Sequence, residues 1–295
     1  MGNTDTHEVV CFGEVLFDIF PSGAVPGGAP MNVAYHLHKQ KKNPAVITKI
    51  GIDEEGKKLI NFFSGKGLYT DYFQVDCEHE TGKVFASLNE SNEAVYDIVA
   101  PVAWDFIQWE DGMERLVGEA EFFLFGSLAA RNKVSRDTLF RCLEIAQRKV
   151  LDINLRAPHF SKRIVEELMR KADFLKLNVG ELELITGWFS DYEGIEDRIK
   201  FIGDKFSLAG VAVTMGGDGA VLYMNDTLIR HKGFKVDVVD TVGCGDAFLA
   251  GVLSKLMEGV SPEGVLDYAS RLGAFIAMQR GGCPEYELAT TDDLI

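Results

Sequence analysis

Asp246 stands directly after a glycine-rich run, Asp240-Thr241-Val242-Gly243-Cys244-Gly245, and directly before the segment AFLAGVLSKLM. A segment apolar nearly all round predicts a buried helix. Glycines at its start let a ligand approach the backbone closely. The free amides and the dipole of a helix N-terminus favour negative charge. A carboxylate beside such an anion hole suits phosphoryl transfer: the amides hold the phosphoryl group and the Asp accepts the proton of an attacking hydroxyl. A plainer reading of the same residues makes Asp246 a helix cap and the glycines a packing device.

Three further motifs carry possible chemistry. Gly27-Gly28-Ala29-Pro30-Met31-Asn32 places two glycines and a proline at a helix start, with Pro30 suited to the first turn and Asn32 within reach of a polar ligand. Asn178-Val179-Gly180-Glu181 follows a predicted strand. It reads either as a capping box or as a pair that orients water around Mg²⁺. Thr214-Met215-Gly216-Gly217-Asp218-Gly219 reads as a tight turn against a nucleotide, or as a hairpin turn through Asp-Gly. Two patterns point elsewhere and are set aside. Gly51 to Lys58 has P-loop spacing, but Lys58 replaces the Ser/Thr that would hold Mg²⁺, and no strand is read leading into it. Only Gly13 follows the first strand, which is no dinucleotide fingerprint. His36 and His38 lack a metal-ligand partner and read as packing or surface residues.

These motifs need a scaffold. VVCF (9–12), FFLF (122–125), VLDINL (150–155), FLKLN (174–178) and VAVT (211–214) read as buried strands. Ser135 is expected to cap a helix over 136–148, and Ser161 one over 162–171. Strand–helix alternation argues for a single α/β domain with a central, mostly parallel sheet flanked by helices and ligands at the strands' carboxyl ends. The stretches at about 16–28 and 82–100 break the rhythm. The second reads as a hairpin around NESNE, and together they suggest a small antiparallel β-sheet lid.

Composition narrows the function. The 295 residues carry 30 Lys+Arg against 45 Asp+Glu, a net charge of −15. That balance argues against nucleic acid as a partner and against an anionic membrane surface, and points to small-molecule ligands. Five cysteines without a paired spacing suggest a reducing, cytoplasmic setting. The acidic opening stretch shows no leader pattern.

Taken together and in this order, the four motifs resemble the ribokinase-like (PfkB) carbohydrate kinase family, over Val9 to about Tyr286. GGAPMNVA is similar to its N-terminal signature and DTVGCGDAF to its C-terminal one. The resemblance implies a Rossmann-like ribokinase fold with a β lid, and transfer from ATP with Mg²⁺ to a sugar's primary hydroxyl. It implies that Asp246 is the base, that Gly243, Cys244 and Gly245 form the anion hole, and that Asp18, Gly28 and Asn32 bind sugar hydroxyls. Asn178 and Glu181 would influence Mg²⁺ and phosphate, and Thr214, Gly216, Gly217 and Gly219 would line the nucleotide site. Asp152-Ile153-Asn154-Leu155-Arg156 resembles a segment of fructokinases, in which Arg156 faces phosphate or else salt-bridges within the fold. A K⁺ site would fall at Asp240, Val242, Ala277, Arg280 and Gly282. As in several relatives, two copies are expected to pair through the lid into a homodimer.

D-fructose is the expected substrate. 2-Keto-3-deoxygluconate, ribose and adenosine are rival substrates, and a non-catalytic sugar sensor is the rival of another class. Cys244 replaces the family's usual Ala, and its thiol is pulled down by the helix end and up by Asp246.

Overall fold

Strand β1 (Val9–Phe12) alternates its side chains between two apolar layers: Val10 and Phe12 face one core, Val9 and Cys11 the other. A strand buried on both faces reads as an unbroken apolar run, which is why VVCF is legible. The computed structural model describes residues 6–20, 23–88 and 94–288. After β1 come β2 (Leu16–Phe20), β3 (Gly23–Gly27), α1 (Ala29–Lys39), β4 (Pro44–Gly51), α2 (Glu54–Gly65), β5 (Phe73–Asp76), β6 (Gly82–Leu88) and β7 (Ala94–Ile98). Then α3 (Met113–Glu119), β8 (Phe122–Gly126), α4 (Lys133–Ile145), β9 (Lys149–Asp152), α5 (Lys162–Lys171), β10 (Phe174–Asn178), α6 (Val179–Gly187), α7 (Ile195–Phe206) and β11 (Gly210–Thr214) follow. The last elements are β12 (Ala220–Met224), β13 (Thr227–His231), α8 (Cys244–Met257) and α9 (Pro262–Ala277).

Among the described residues, nine strands form one sheet in the order β13-β12-β11-β10-β9-β8-β1-β4-β5. All neighbours from β5 to β11 are parallel, and β12 and β13 are antiparallel. Chain order reverses between β1 and β8, since β1 leads on to β4 and β8 to β9. The crevice at that reversal is where open α/β sheets bind ligands. Helices α1, α8 and α9 cover one face, and α4, α5, α6 and α7 the other.

The stretches expected to form the lid build a separate four-stranded sheet, β3-β2-β6-β7. It is not wholly antiparallel: β2 pairs with β6 in parallel, Leu16 opposite Gly82. Two hairpin-like pairs therefore meet side by side, a long-range contact with no local signature. The NESNE turn lies outside the described residues.

Three local readings are corrected. Helix α4 starts at Lys133, and Asn132 is its cap, with its side chain accepting from the Val134 amide. Ser135 is buried inside and bonds Trp104 O and Ile107 N instead. Strand β9 stops at Asp152 because Asn154 turns to φ 37°, which a strand does not allow. Strand β4 does run into the P-loop look-alike, but Asp53 caps α2 and fills its first turn, accepting from Gly56 N and Thr81 N. A carboxylate already occupies the place a phosphate would take. Ser161 caps α5 as expected.

Candidate active site

Helix α8 is capped by Gly243, which holds φ 78°. A Cβ there would stand 2.6 Å from Gly282 Cα, so glycine is required for the approach of the two loops. The amides of Gly243 and Gly245 make no hydrogen bond among the described residues, as first-turn amides lack an intrahelical acceptor. Asp246 is the third helical residue and not the cap. Its carboxylate accepts from Asn32 Nδ2 at 2.8 Å. Burial, then the neighbouring Asp152, pushes its carboxyl up to about 6, while Lys176, Asn32 and Arg156 pull it back. A carboxylate that is ionised at neutral pH yet has raised proton affinity is suited to general-base work.

Two cavities meet at this helix end. One, of about 480 Å³, is lined by Asp18, Gly28, Asn32, Arg156 and Asn178, with Asp246 at its floor. The other, of about 460 Å³, is lined by Thr214, Gly216, Gly217 and Gly219. Thr214, Thr241 and Gly245 line both. The two cavities therefore meet at the first turn of α8. The second cavity also has apolar walls from Phe234, Val236, Val238 and Phe248, a composition that suits a flat heterocycle.

Each predicted residue has a definite place. Gly28 caps α1 at φ 122°, and Pro30 lies in the first turn as expected. Asn32 is buried and ties Asp246 to the Cys283 thiol, which donates to Asn32 Oδ1 at 3.2 Å. Asp18 on β2 leans over Gly27, where a Cβ would stand 2.5 Å from its Oδ2. Burial pushes the Asp18 carboxyl up to about 6, and Arg156 pulls the other way. Arg156 is exposed, lines the first cavity and makes no ion pair among the described residues. The turn at Gly216–Asp218 joins β11 to β12 as a hairpin and lines the second cavity at the same time.

Asn178 and Glu181 form the capping box in full: Asn178 Oδ1 accepts from Glu181 N at 2.9 Å and Glu181 Oε2 from Asn178 N at 2.8 Å. Glu181 Oε1 accepts from Leu155 N. With both oxygens taken by amides, buried Glu181 fixes the loop that carries Arg156. No group of three or more His, Cys, Asp or Glu side chains able to hold a metal occurs among the described residues.

Of the five residues considered for K⁺, Ala277 ends α9, and Asp240, Val242, Arg280 and Gly282 lie in the loops before α8 and after α9. Asp240 accepts from Val242 N and Gly281 N, Ala277 O from Val239 N and Asp240 N, and Gly282 O from His36 Nε2. His36 is thus a buried packing residue, clamped also to Tyr286 Oη. For Cys244, burial, Asp240 and Asp246 push the thiol up to about 12. The helix end does not prevail, and the side chain is a poor nucleophile.

Sequence reasoning passed over Glu14 and Lys176 and gave Asp152 no role beyond its place in the Asp152–Arg156 segment; all three are buried. Glu14 lines the first cavity with Oε2 unpartnered among the described residues, and burial pushes its carboxyl up to about 7. Lys176 bonds both oxygens of Asp152. The only available signals were a charge in the middle of the apolar FLKLN strand and an acid just past β1.

An α/β sheet with a reversal crevice, a helix-end anion hole with a raised carboxylate and two abutting cavities define a group-transfer enzyme for a hydroxyl acceptor. The chain belongs to the pfkB family carbohydrate kinases, whose pattern matches residues 7–287. It is a carbohydrate kinase by that membership. It is 29% identical over 305 residues to a probable chloroplastic fructokinase-6 of Arabidopsis thaliana, covering 94% of this chain and 79% of that one. Its fold matches a fructokinase double mutant from Vibrio cholerae O395 with fructose, ADP and potassium ion bound (TM-score 0.82, 24% identity, 98% of each chain). It also matches a ribokinase II from E. coli in complex with ATP and Mg²⁺ (TM-score 0.86, 18% identity, 98% of each chain). No helix among the described residues is long and apolar enough to cross a membrane.

Proposed function

We propose that this chain transfers the γ-phosphoryl group of ATP to the primary hydroxyl of D-fructose, giving fructose 6-phosphate and ADP. The observation that carries the reading is the position of Asp246 in the first turn of α8, lining the first cavity one residue after Gly245, whose unpaired amide stands where that cavity meets the second. The hydroxyl donates its proton to Asp246 as its oxygen attacks phosphorus. The amides of Gly243 and Gly245 take up the charge of the phosphoryl in transit, joined by that of Cys244 if it leaves Thr241 O, and the bond to the leaving ADP breaks. Asn32 holds the Asp246 carboxylate in place. Asp18 and the polar rim supply acceptors for the remaining neutral hydroxyls. Magnesium would accompany the triphosphate, and Asn178, which lines the first cavity, is the polar side chain that would meet its water shell. The ion supplies charge neutralisation on the phosphates.

Phosphorus NMR of the product from ATP, Mg²⁺ and D-fructose tests this directly. A signal on C6 is expected. A phosphate on C1, or none on sugar, would overturn the assignment. An unpaired Arg156 at the cavity favours a second reading, a sugar acid such as 2-keto-3-deoxygluconate, whose carboxylate a guanidinium clamps well.

Two attributes accompany the proposal. K⁺ is expected to raise activity several-fold by bracing the loop around Asp240 and Val242. Equal rates in K⁺ and in tetramethylammonium would remove the site. Two copies are expected to pair through the lid sheet, where Val25 and Phe85 stand exposed. Light scattering at micromolar concentration should give a dimer, and a monomer would reject the pairing.

A further inference from the structure

The amides at α8 are not the only positive feature beside the reacting centre. Lys176 lies in the middle of β10, in a sheet covered on both faces, where a charge is costly unless paired. Its side chain is 9% exposed, and Nζ lies 3.0 Å and 3.2 Å from the two oxygens of Asp152, 4% exposed on neighbouring β9. The pair is not sealed inside the core, because Lys176 lines the sugar-side cavity. Its Nζ also fills the space beside Gly245: a Cβ at that glycine would stand 2.9 Å away. Gly245 is therefore glycine for a second reason, to admit an ammonium to the anion hole. An ammonium has three donors, and Asp152 engages two. The remaining donor has no partner among the described residues. Asp152, Asp246 and Glu181 outweigh burial and raise the lysine's proton affinity, so it stays cationic at neutral pH.

We propose that Lys176 is a catalytic residue whose ammonium, held in place by Asp152, contacts the phosphoryl group in transit at the N-terminus of α8. The inference rests on the kinase reading above. The bond between the γ-phosphorus and the ADP oxygen breaks, the bond from the sugar oxygen forms, and the hydroxyl proton passes to Asp246. Lys176 keeps its proton and makes no bond. Its role is a fixed positive charge in a water-poor site, which stabilises the spread negative charge without reorganisation. Asp152 is then a positioning residue that keeps the flexible lysine from folding back on Asp246.

The test compares turnover and nucleotide affinity. Lys176→Met is expected to lower kcat by on the order of 10²–10³, the range for removing one preorganised charge-stabilising donor, with KM for fructose within about threefold because the loss falls on the transition state. By calorimetry it should bind ADP as wild type does, while losing about tenfold of its affinity for a non-hydrolysable ATP analogue, whose γ-phosphate the ammonium would touch. Because Lys176→Met strands a buried carboxylate, the double variant Lys176→Met/Asp152→Leu removes both charges and should melt as wild type does. It is expected to stay at least ~100-fold down, with the analogue-over-ADP preference still lost. Recovery of the double variant to within about fivefold of wild-type turnover, or an unchanged analogue-over-ADP preference in it, would reduce Lys176 to half of a structural ion pair. A wild-type enzyme that phosphorylates no sugar would bring down the kinase reading, and this inference with it. Active wild type with an active double variant would bring down this inference alone.

Discussion

Asp246→Asn is expected to cut kcat by on the order of 10²–10⁴, the usual range for losing a positioned general base. Affinity for ATP should survive, since the anion hole is built of amides. The wild-type profile should follow the same group. Its carboxyl is pushed up to about 6, mainly by burial, so kcat/KM should fall about tenfold per pH unit below that value and be level above it. Stability should move the opposite way to activity. The ordinary value is 3.8, so between 3.8 and about 6 the folded chain binds more protons than the unfolded one. Stability therefore falls as pH rises through that window, and the penalty is full above pH 6. Asp246→Asn should accordingly stabilise the fold by about 1–3 kcal/mol at pH 7.5, and by little at pH 4. An inactive variant with a higher melting temperature at neutral pH is the expected pair of results. Near-normal turnover would return Asp246 to a packing role.

Gly28→Ala carries the second large effect, and it is a backbone effect. Gly28 caps α1 at φ 122° and ψ 122°, where side chains are strained. Its Cβ would stand 2.4 Å from the carbonyl oxygen of Glu14 and 3.1 Å from Val15 Cα. Neither contact can be relieved by a rotamer change. The loop after β1 and the first turn of α1 would have to separate, moving Asn32 away from Asp246. A loss of about 3 kcal/mol or more is expected, with a fall in melting temperature on the order of 10 °C. Any enzyme that folds should show a raised KM for sugar. Gly187→Ala is the control: it ends α6 with open space where the Cβ would go. It should be neutral or gain a few tenths of a kcal/mol. A wild-type melting temperature for Gly28→Ala would contradict the close approach.

The backbone-built parts of this site were readable from sequence because they need particular residues at fixed spacing. Gly243, Gly28 and Gly219 sit where a side chain cannot, at φ 78°, 122° and 90°. Asn178 and Glu181 show themselves by a capping interval, although the structure engages both as a cap and turns Glu181 toward Leu155. What was not readable depends on contacts between distant segments. Lys176 and Asp152 gain their meaning only when β9 and β10 pair, with Lys176 opposite Asp152. Glu14 looks like any acid beyond a strand until Ala29 and Gly28 fold over it. The apolar wall at Phe234, Val236 and Val238 lies in a loop with no periodicity to detect. Strand β4 was not read from the sequence although it is among the best-buried in the sheet. The parallel pairing of β2 with β6 belongs to the same group: register between distant segments leaves no trace in either one alone.

The Arg156 side chain decides between the two sugar classes. It lines the cavity and makes no ion pair among the described residues, and its charge pulls down the carboxyls of Asp18 and Glu14. As a partner of those carboxylates it organises a neutral-sugar site. As a clamp for an incoming carboxylate it would organise a sugar-acid site. Steady-state kcat/KM at saturating MgATP for D-fructose, 2-keto-3-deoxygluconate, D-ribose and adenosine separates these directly. The expected result is the highest value for D-fructose. A preference of more than ~100-fold for any of the other three, about 2.7 kcal/mol of transition-state discrimination, would contradict the assignment.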